Sequence, residues 1–272
     1  MNDIEGENFF LNGELKQVKD FDPKLVTKGR SLYEVIRVMD GNPLFYREHI
    51  ARLHNSAWLA DTELPVSDSE LKIQVTELLK INKIHNGNFK IIFSKENLCL
   101  FEVRHKYPDK TMYEIGVATI LYHGERKNPN IKAIDTVFRS GANEKIMEKN
   151  AYEAILVDKS GYITEGSRSN IFLVIGETVI TSPIEEVLPG ITRDKIIEIS
   201  KKLGYKVMEK KVSYMDIEAM DGLFISGTSP EVLPIRKVDD IQFDSQYNQV
   251  IRSIMFAYHE MALEDASRFS AK

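Results

Sequence analysis

Apolar residues recur along the chain in two patterns, one typical of strands and the other typical of helices. Continuous or alternating apolar runs predict strands at residues 33–38, 43–46, 89–93, 98–103, 154–157, 170–175 and 223–226. Apolar residues spaced three and four apart predict helices at residues 48–59, from 67 onward, 143–151, 192–203 and 247–261. Local signals support these bounds: Asp40-Gly41 is a hairpin turn, Ser67 and Glu70 have capping-box spacing, and Gly204 ends a helix. The pattern therefore predicts a mixed α/β protein.

A polar, turn-rich stretch at residues 124–130 lies between apolar runs and predicts a linker. The chain of 272 residues is long enough for two modest domains. We therefore expect an N-terminal α/β domain at residues 1–123 and a C-terminal domain at residues 124–272. Directly after the linker, residues 131–134 predict a short extended segment.

Composition narrows the class of protein. An apolar content of 43% and a charged content of 28% are typical of a soluble globular chain, and the net charge of −5 argues against a nucleic-acid partner. No apolar run reaches the length of a membrane span, and the N-terminus lacks a signal pattern, so we expect a cytoplasmic protein. The single cysteine, Cys99, excludes an internal disulfide and lies in an apolar run typical of buried residues.

Several catalytic motifs are missing from the sequence. It has neither the glycine-rich dinucleotide fingerprint nor a phosphate loop ending in Gly-Lys-Ser/Thr. The six histidines are dispersed, and none is spaced as a metal pair, so we expect no metal site. Ser69 and Lys72 match a serine-hydrolase pattern, but they lie in the first turn of a predicted helix and indicate capping and solvation.

Lys132 differs from the other lysines because it lies between Ile131 and Ala133 in the extended segment. An ammonium group in apolar surroundings loses hydration, which lowers the pKa of a lysine and favours the neutral, nucleophilic amine. The alternative is a lysine on an edge strand whose ammonium group extends to water. The residue alone leaves both interpretations open.

Three further segments could bind a cofactor. Glu165 ends a predicted strand, where a carboxylate can face a pyridine nitrogen, although it could also pair with Arg168 at the surface. Residues 187–193 open a helix whose free amides could bind phosphate, although Thr192 could simply be the N-cap. Residues 226–230 follow a strand and offer hydroxyls and turn amides, although they could form an ordinary turn.

Taken in order, these segments resemble the class IV aminotransferases, the pyridoxal-phosphate enzymes of fold type IV. The stretches 165–172 and 188–193 are similar to the family signature, and Lys132 has the spacing before residues 153–156 that the family gives its Schiff-base lysine. In the first half, residues 33–37 and 48–53 resemble the family's N-terminal strand and the segment with its phosphate-binding arginine. The family includes branched-chain aminotransferases, D-amino-acid aminotransferases and aminodeoxychorismate lyases. The resemblance implies a two-domain fold like that of D-amino-acid aminotransferase.

The resemblance also implies a cofactor, pyridoxal 5'-phosphate, and a role for each matching residue. Lys132 would carry the cofactor covalently and move the substrate proton, while Glu165 would face the pyridine nitrogen. The groups implied for the phosphate are Arg52, the amides of Ile191 and Thr192, and Thr228 with the Gly227 turn. Those implied for the substrate pocket are Tyr33 and Ser229. Amino acids and 2-oxo acids are the implied substrates, and a homodimer is the implied assembly.

The chain departs from each subfamily in the residues that would select a substrate. Val137 replaces the tyrosine of branched-chain enzymes, and Asp135 lies near the asparagine position of the lyases. In the D-amino-acid enzyme, the arginine and histidine that bind the substrate carboxylate lie two residues apart. Arg104 and His105 are adjacent, so on a strand they would point to opposite sides. Arg30, with Lys28 beside it, could bind a carboxylate or be plain surface charge.

Three functions follow from these observations. Transamination between an amino acid and an oxo acid is the leading hypothesis. The alternative within the family is a lyase that converts aminodeoxychorismate to 4-aminobenzoate and pyruvate. A cofactor-binding protein without turnover is a third hypothesis, against which the presence of both Lys132 and Glu165 argues.

Overall fold

The computed structural model describes residues 4–27, 31–94, 97–134 and 136–269. The chain divides into two units, the first formed by Met1–Lys106, Ile131–Ile134 and Met261–Lys272 and the second by Tyr107–Asn130 and Asp135–Glu260. Residues 107–123, which the sequence analysis assigned to the N-terminal domain, group with the second unit. A functional division of the chain at residue 124 stays a prediction.

The described residues form seven α-helices, of which five were predicted; the short helices at Lys24–Thr27 and Lys110–Ile115 were not. The seven helices are α1 (Lys24–Thr27), α2 (Tyr46–Leu59), α3 (Asp68–Ile81), α4 (Lys110–Ile115), α5 (Thr136–Glu148), α6 (Ile191–Lys202) and α7 (Gln249–Phe269). The predicted capping box of α3 is confirmed, because Ser67 and Glu70 each accept a hydrogen bond from the other's amide. Helix α5 begins seven residues before its predicted start, and α7 continues eight residues beyond its predicted end. No helix in the described part of the chain is both long and apolar enough to cross a membrane.

Sixteen strands are present among the described residues. They are β1 (Ile4–Leu11), β2 (Glu14–Gln17), β3 (Leu32–Met39), β4 (Asn42–Pro43), β5 (Gly87–Phe93), β6 (Leu98–Val103), β7 (Val117–His123), β8 (Glu153–Val157), β9 (Tyr162–Gly166), β10 (Asn170–Ile175), β11 (Thr178–Thr181), β12 (Lys206–Glu209), β13 (Val212–Ser213), β14 (Gly222–Gly227), β15 (Glu231–Val238) and β16 (Ile241–Gln242). The predicted strand at 43–46 is wrong beyond Pro43, because Phe45 and Tyr46 already start helix α2.

The first unit contains a six-stranded antiparallel sheet with the order β2-β1-β6-β5-β3-β4. Helices α2 and α3 cover one face, where Ile36, Leu53 and Leu78 belong to one buried apolar cluster. Cys99 is buried on the other face, as predicted, with Tyr33 in the same cluster. Successive residues of β3 therefore point alternately toward the helices and toward the second cluster.

The second unit contains a mixed ten-stranded sheet with the order β12-β11-β10-β14-β15-β7-β8-β9-β13, and β16 pairs with β15. Its parallel pairs are β11–β12, β15–β7 and β7–β8, and the remaining pairs are antiparallel. Strands β8, β10 and β14 are almost entirely buried, which explains why their sequences are continuous apolar runs. Helix α6 packs against β12 and β14.

Candidate active site

Lys132 lies in a short extended segment that pairs with β3 inside the first unit. The Tyr33 amide donates a hydrogen bond of 3.0 Å to the Lys132 carbonyl oxygen, and Leu32 forms an antiparallel bridge with Ala133. Ile131, the preceding residue, is buried in the core. The predicted extended conformation is confirmed, and pairing with β3 fixes the direction in which the Lys132 side chain leaves the backbone.

The Tyr33 ring contacts two ammonium groups in the first unit. Nζ of Lys132 lies 4.9 Å from the ring centre, and Nζ of Lys90 lies 5.0 Å from it. A cation over an aromatic ring is attracted by the negative charge of the ring face. Since Tyr33 is buried and Lys132 is half-buried, the geometry favours a partly desolvated lysine over one that extends to water.

Arg52 lies on the buried side of α2, where its guanidinium group pairs with Glu34 of β3. Nε donates to Oε1 of Glu34 at 2.8 Å, and Nη2 donates to Oε2 at 2.7 Å. Nδ1 of His49 lies 2.7 Å from the same Oε2 atom. All three side chains are buried, and the two-point contact fixes the plane of the guanidinium group.

The charges in this network follow from burial and from the short contacts. Burial would raise the pKa of Glu34, but the Arg52 charge and the hydrogen bonds from Arg52 and His49 hold it at about 2. Burial lowers the pKa of His49, and the charges of Arg52 and Lys132 lower it further, while Glu34 opposes the change. The lowered pKa favours the neutral form of His49, and since an ionised carboxylate only accepts, the contact with Glu34 assigns the proton to Nδ1 of His49.

The start of α2 is fixed by the C-terminal helix. Phe45, the N-cap of α2, has a left-handed backbone with φ 49° and supplies no side-chain cap. Its amide donates a 2.6 Å hydrogen bond to Oδ2 of Asp265, in the part of α7 that belongs to the first unit. A carboxylate at this end of a helix satisfies a free amide and interacts favourably with the helix dipole. Asp265 thus stabilises the helix that carries Arg52.

Glu165 lies near the end of β9 in the second unit, and its side chain is almost completely buried. Nη1 of Arg126 donates to Oε1 at 3.0 Å, and the Leu188 amide donates to Oε2 at 3.1 Å. The alternative interpretation, a surface pair between Glu165 and Arg168, is wrong. Arg168 is half-exposed, and its Nε atom lies 3.9 Å from Glu153 instead.

The turn after Glu165 is built around a second buried carboxylate. The hydroxyl groups of Ser167 and Ser169 both donate to Glu153, which is only 3% exposed. The Gly166 amide donates to the Ser169 carbonyl at 2.8 Å, and a Cβ atom at position 166 would collide with the Ser169 hydroxyl. The glycine and serines of the sequence motif therefore close the turn that ends the Glu165 strand.

Helix α6 begins at Ile191, with Gly190 as its N-cap and without a side-chain cap. The interpretation of Thr192 as the capping residue is wrong, because its hydroxyl lies 3.3 Å from the Tyr258 hydroxyl instead. The amides of the first helical turn, including those of Ile191 and Thr192, have no partner within the helix. A Cβ atom at Gly190 would collide with Oδ1 of Asn170, so the close approach of these two residues requires glycine.

Three predicted site residues lie at the end of β14: Gly227 is the last residue of the strand, and Thr228 and Ser229 are in the turn that follows. Strand β14 pairs with β10 in a register that places Ser226 opposite Asn170. Nδ2 of Asn170 donates to the carbonyl of Leu188, the residue whose amide contacts Glu165. The second unit therefore brings together Glu165, the start of α6 and the β14 turn at one end of its sheet.

Three side chains in the networks of Arg52 and Glu165 were missed from the sequence: Glu34, His49 and Arg126. One of them had a usable signal. Glu34 lies at a position of β3 that alternation assigns to the apolar face, alongside Leu32 and Ile36. A carboxylate is buried in such a place only when it is paired, so a cationic partner could have been expected.

The residues considered for substrate selection are only partly described. Arg104 is exposed and pairs with Glu5 at 3.0 Å. Lys28, Arg30 and Asp135, together with the side chain of Val137, lie outside the described part of the chain. Within the described ranges, no cluster of three or more histidine, cysteine or acidic side chains is arranged to bind a metal.

Comparison of the chain with known proteins identifies its relatives. The family model for class IV amino-transferases matches residues 31–238. D-alanine aminotransferase of Bacillus licheniformis is 31% identical over 251 residues, which cover 84% of this chain and 87% of that protein. Branched-chain-amino-acid aminotransferase of Escherichia coli is 27% identical over 270 residues, covering 88% and 87%. A crystal structure of the Escherichia coli branched-chain enzyme superposes with a TM-score of 0.86 at 25% identity and covers 96% of both chains.

Proposed function

Because the chain belongs to the class IV aminotransferases, we propose that it transfers an amino group between an amino acid and a 2-oxo acid, with pyridoxal 5'-phosphate as cofactor. The observation that carries the proposal is the environment of Lys132. Its amine is half-buried against the Tyr33 ring, in a segment held by main-chain pairing with β3. Such an amine suits covalent attachment of an aldehyde cofactor.

The described residues fit the chemical groups of pyridoxal phosphate. Lys132 offers the amine, and Glu165 offers a carboxylate fixed by donors on both oxygens for the pyridine nitrogen. The uncapped start of α6 offers amides to an anion, which is a common way of binding phosphate. The residues proposed to hold the phosphate are Arg52, Ile191, Thr192, Gly227 and Thr228.

Each side chain then has a defined task. When bound, the protonated pyridine ring of the cofactor withdraws electrons from the substrate α-carbon. With the cofactor bound, Nζ of Lys132 would be the base that takes and holds the proton of the substrate α-carbon. The Glu165 carboxylate would accept a hydrogen bond from the ring nitrogen and so favour its protonated form. Tyr33, whose ring contacts Nζ of Lys132, and Ser229 are the residues proposed to contact the substrate.

Covalent labelling tests the proposal directly. Borohydride reduction of the purified protein, followed by peptide mapping, should place the pyridoxyl mass on the peptide that contains Lys132. The Lys132→Ala variant should fold, as judged by circular dichroism, and should carry no adduct. Lys149→Ala, which alters an exposed lysine, is the matched control and should label as the wild type does. An adduct on another lysine, or none, would overturn the proposal.

The amino donor and the reaction type need a turnover screen. The relatives carry the names of D-alanine and branched-chain aminotransferases, so the screen should cover L-branched, L-acidic and D-amino acids with 2-oxoglutarate as acceptor. A transaminase requires this acceptor. Release of pyruvate from aminodeoxychorismate without any oxo acid would favour the lyase instead. We also propose a homodimer, which light scattering after size-exclusion chromatography can test.

A further inference from the structure

The stretch predicted to be a linker supplies a half-buried side chain to the candidate site. Arg126 lies in residues 124–130, and its side chain is only 16% exposed. Its Nη1 atom donates to Oε1 of Glu165 at 3.0 Å, across 39 residues of sequence. A flexible surface linker would leave this arginine in water, so the stretch has a structural task of its own.

A second residue of the same stretch fixes the other side of Glu165. Nδ2 of Asn130 donates to the carbonyl oxygens of Ile184 and Val187, each at 2.8 Å. Leu188, the next residue along that loop, donates its amide to Oε2 of Glu165. The stretch therefore acts on one carboxylate oxygen directly through Arg126 and on the other through the loop that Asn130 holds.

We propose that Arg126 is a positioning residue that keeps Glu165 ionised and in one orientation toward the pyridine nitrogen of the cofactor. This inference rests on the proposed function. A guanidinium group beside a buried carboxylate favours the charged form, and a hydrogen bond between charged groups restricts rotation of the carboxylate. Without Arg126, the same carboxylate keeps the Leu188 amide but loses its cationic donor. Arg126 acts through Glu165 and is assigned no contact with substrate.

A double-mutant cycle tests this coupling. The dissociation constant of pyridoxal phosphate is measured by fluorescence titration of the apo-protein for wild type, Arg126→Gln, Glu165→Gln and the double variant. Arg126→Gln should weaken binding about ten- to a hundredfold, the range expected for one charge-assisted hydrogen bond. In the Glu165→Gln background, the same substitution should have little further effect, because its partner is already altered. Arg168→Gln, on the half-exposed neighbouring arginine, is the control and should bind as tightly as wild type.

Binding of a cofactor analogue distinguishes the proposed role of Arg126 from a general structural role. The 1-deaza analogue of pyridoxal phosphate lacks the ring nitrogen, so Arg126→Gln should weaken binding of pyridoxal phosphate but not of the analogue. Additive losses in the cycle, equal weakening of both cofactors, or no loss at all would overturn the inference. If Arg126→Gln does not fold, Arg126→Lys, which keeps the charge but loses the planar donor group, replaces it in the same cycle.

These outcomes separate this inference from the proposed function. A protein that gives no pyridoxyl adduct at Lys132 refutes the proposed function whatever the cycle shows. If Glu165→Gln binds the cofactor as wild type does, the role of Glu165 fails and the role of Arg126 fails with it. If Glu165→Gln weakens binding while Arg126→Gln does not, only the present inference fails.

Discussion

Replacing Glu34 with glutamine should destabilise the protein far more than its conservative chemistry suggests. The substitution keeps the size and one acceptor of the side chain but removes its negative charge. Arg52 would then remain buried beside an amide in place of the Glu34 carboxylate, and His49 would lose a charged acceptor. We expect the variant to fold with a clearly lower free energy of unfolding at pH 7.

The magnitude can be worked out in two ways. The pKa of Glu34 falls from 4.5 to about 2 in the folded protein, and each unit of difference is about 1.4 kcal/mol, which gives about 3 kcal/mol for the ionised form. Removing one partner of a buried ion pair costs about 3–5 kcal/mol in other proteins. The two figures agree, so we expect a loss of about 3 kcal/mol.

The pH dependence provides the sharper test. Because the folded pKa is depressed, the stabilisation by Glu34 is fully present above pH 4.5 and is lost as the pH falls toward 2. Urea unfolding of wild type and Glu34→Gln should therefore differ by about 3 kcal/mol at pH 7 and converge below pH 4.5. Glu63→Gln, at an exposed position of the same unit, is the matched control. Equal stability at pH 7, or a difference that stays constant down to pH 3, would refute the reasoning.

Three further predictions can be checked with simple assays. Arg52→Lys should weaken binding of pyridoxal phosphate about tenfold but leave binding of unphosphorylated pyridoxal unchanged. If fluorescence titrations show equal weakening for both ligands, Arg52 does not contact the phosphate. Gly190→Ala should cost about 1–3 kcal/mol in urea unfolding, because the new Cβ atom meets Asn170, and the loss should shrink in an Asn170→Ala background. Burial raises the pKa of Cys99 to about 11, so Ellman's reagent should react only after denaturation, and rapid labelling of native protein would contradict this.

The elements that were predicted correctly are those with local signals. Helix α3 has a capping box, α6 is followed by Gly204 with φ +86°, and strands β8, β10 and β14 are continuous apolar runs. The end of α7 was missed for a physical reason. Its final turns are buried through Ala262 and Ala266, whose small side chains contribute little to an apolar pattern. A helix face that packs through alanine is difficult to distinguish from a polar one.

In the candidate site, the residues that sequence patterns could not identify are those whose partners are distant in sequence. Lys132, Glu165 and the start of α6 could be selected because each lies in a recognisable local context. Arg126 could not, because its polar neighbours favour a linker and its partner is 39 residues away. The side-chain contact that gives Arg126 its task exists only after strand β9 and the 124–130 stretch have been brought together by folding.

The two ion pairs, Glu34 with Arg52 and Glu165 with Arg126, raise the question of why charged residues lie inside the protein at all. A buried pair is weak evidence for stability, because well-packed apolar residues of similar volume are often as stable. Yet Glu34 with Arg52 and Glu165 with Arg126 each occupy interior positions, and each pair includes one residue proposed to contact the cofactor. An apolar replacement could not hold a phosphate or a protonated pyridine nitrogen. Fixed charges whose orientation is set before the ligand arrives are what such a site requires, since they need no reorganisation on binding. The cofactor binding proposed above would therefore explain why both charged pairs occupy the interior.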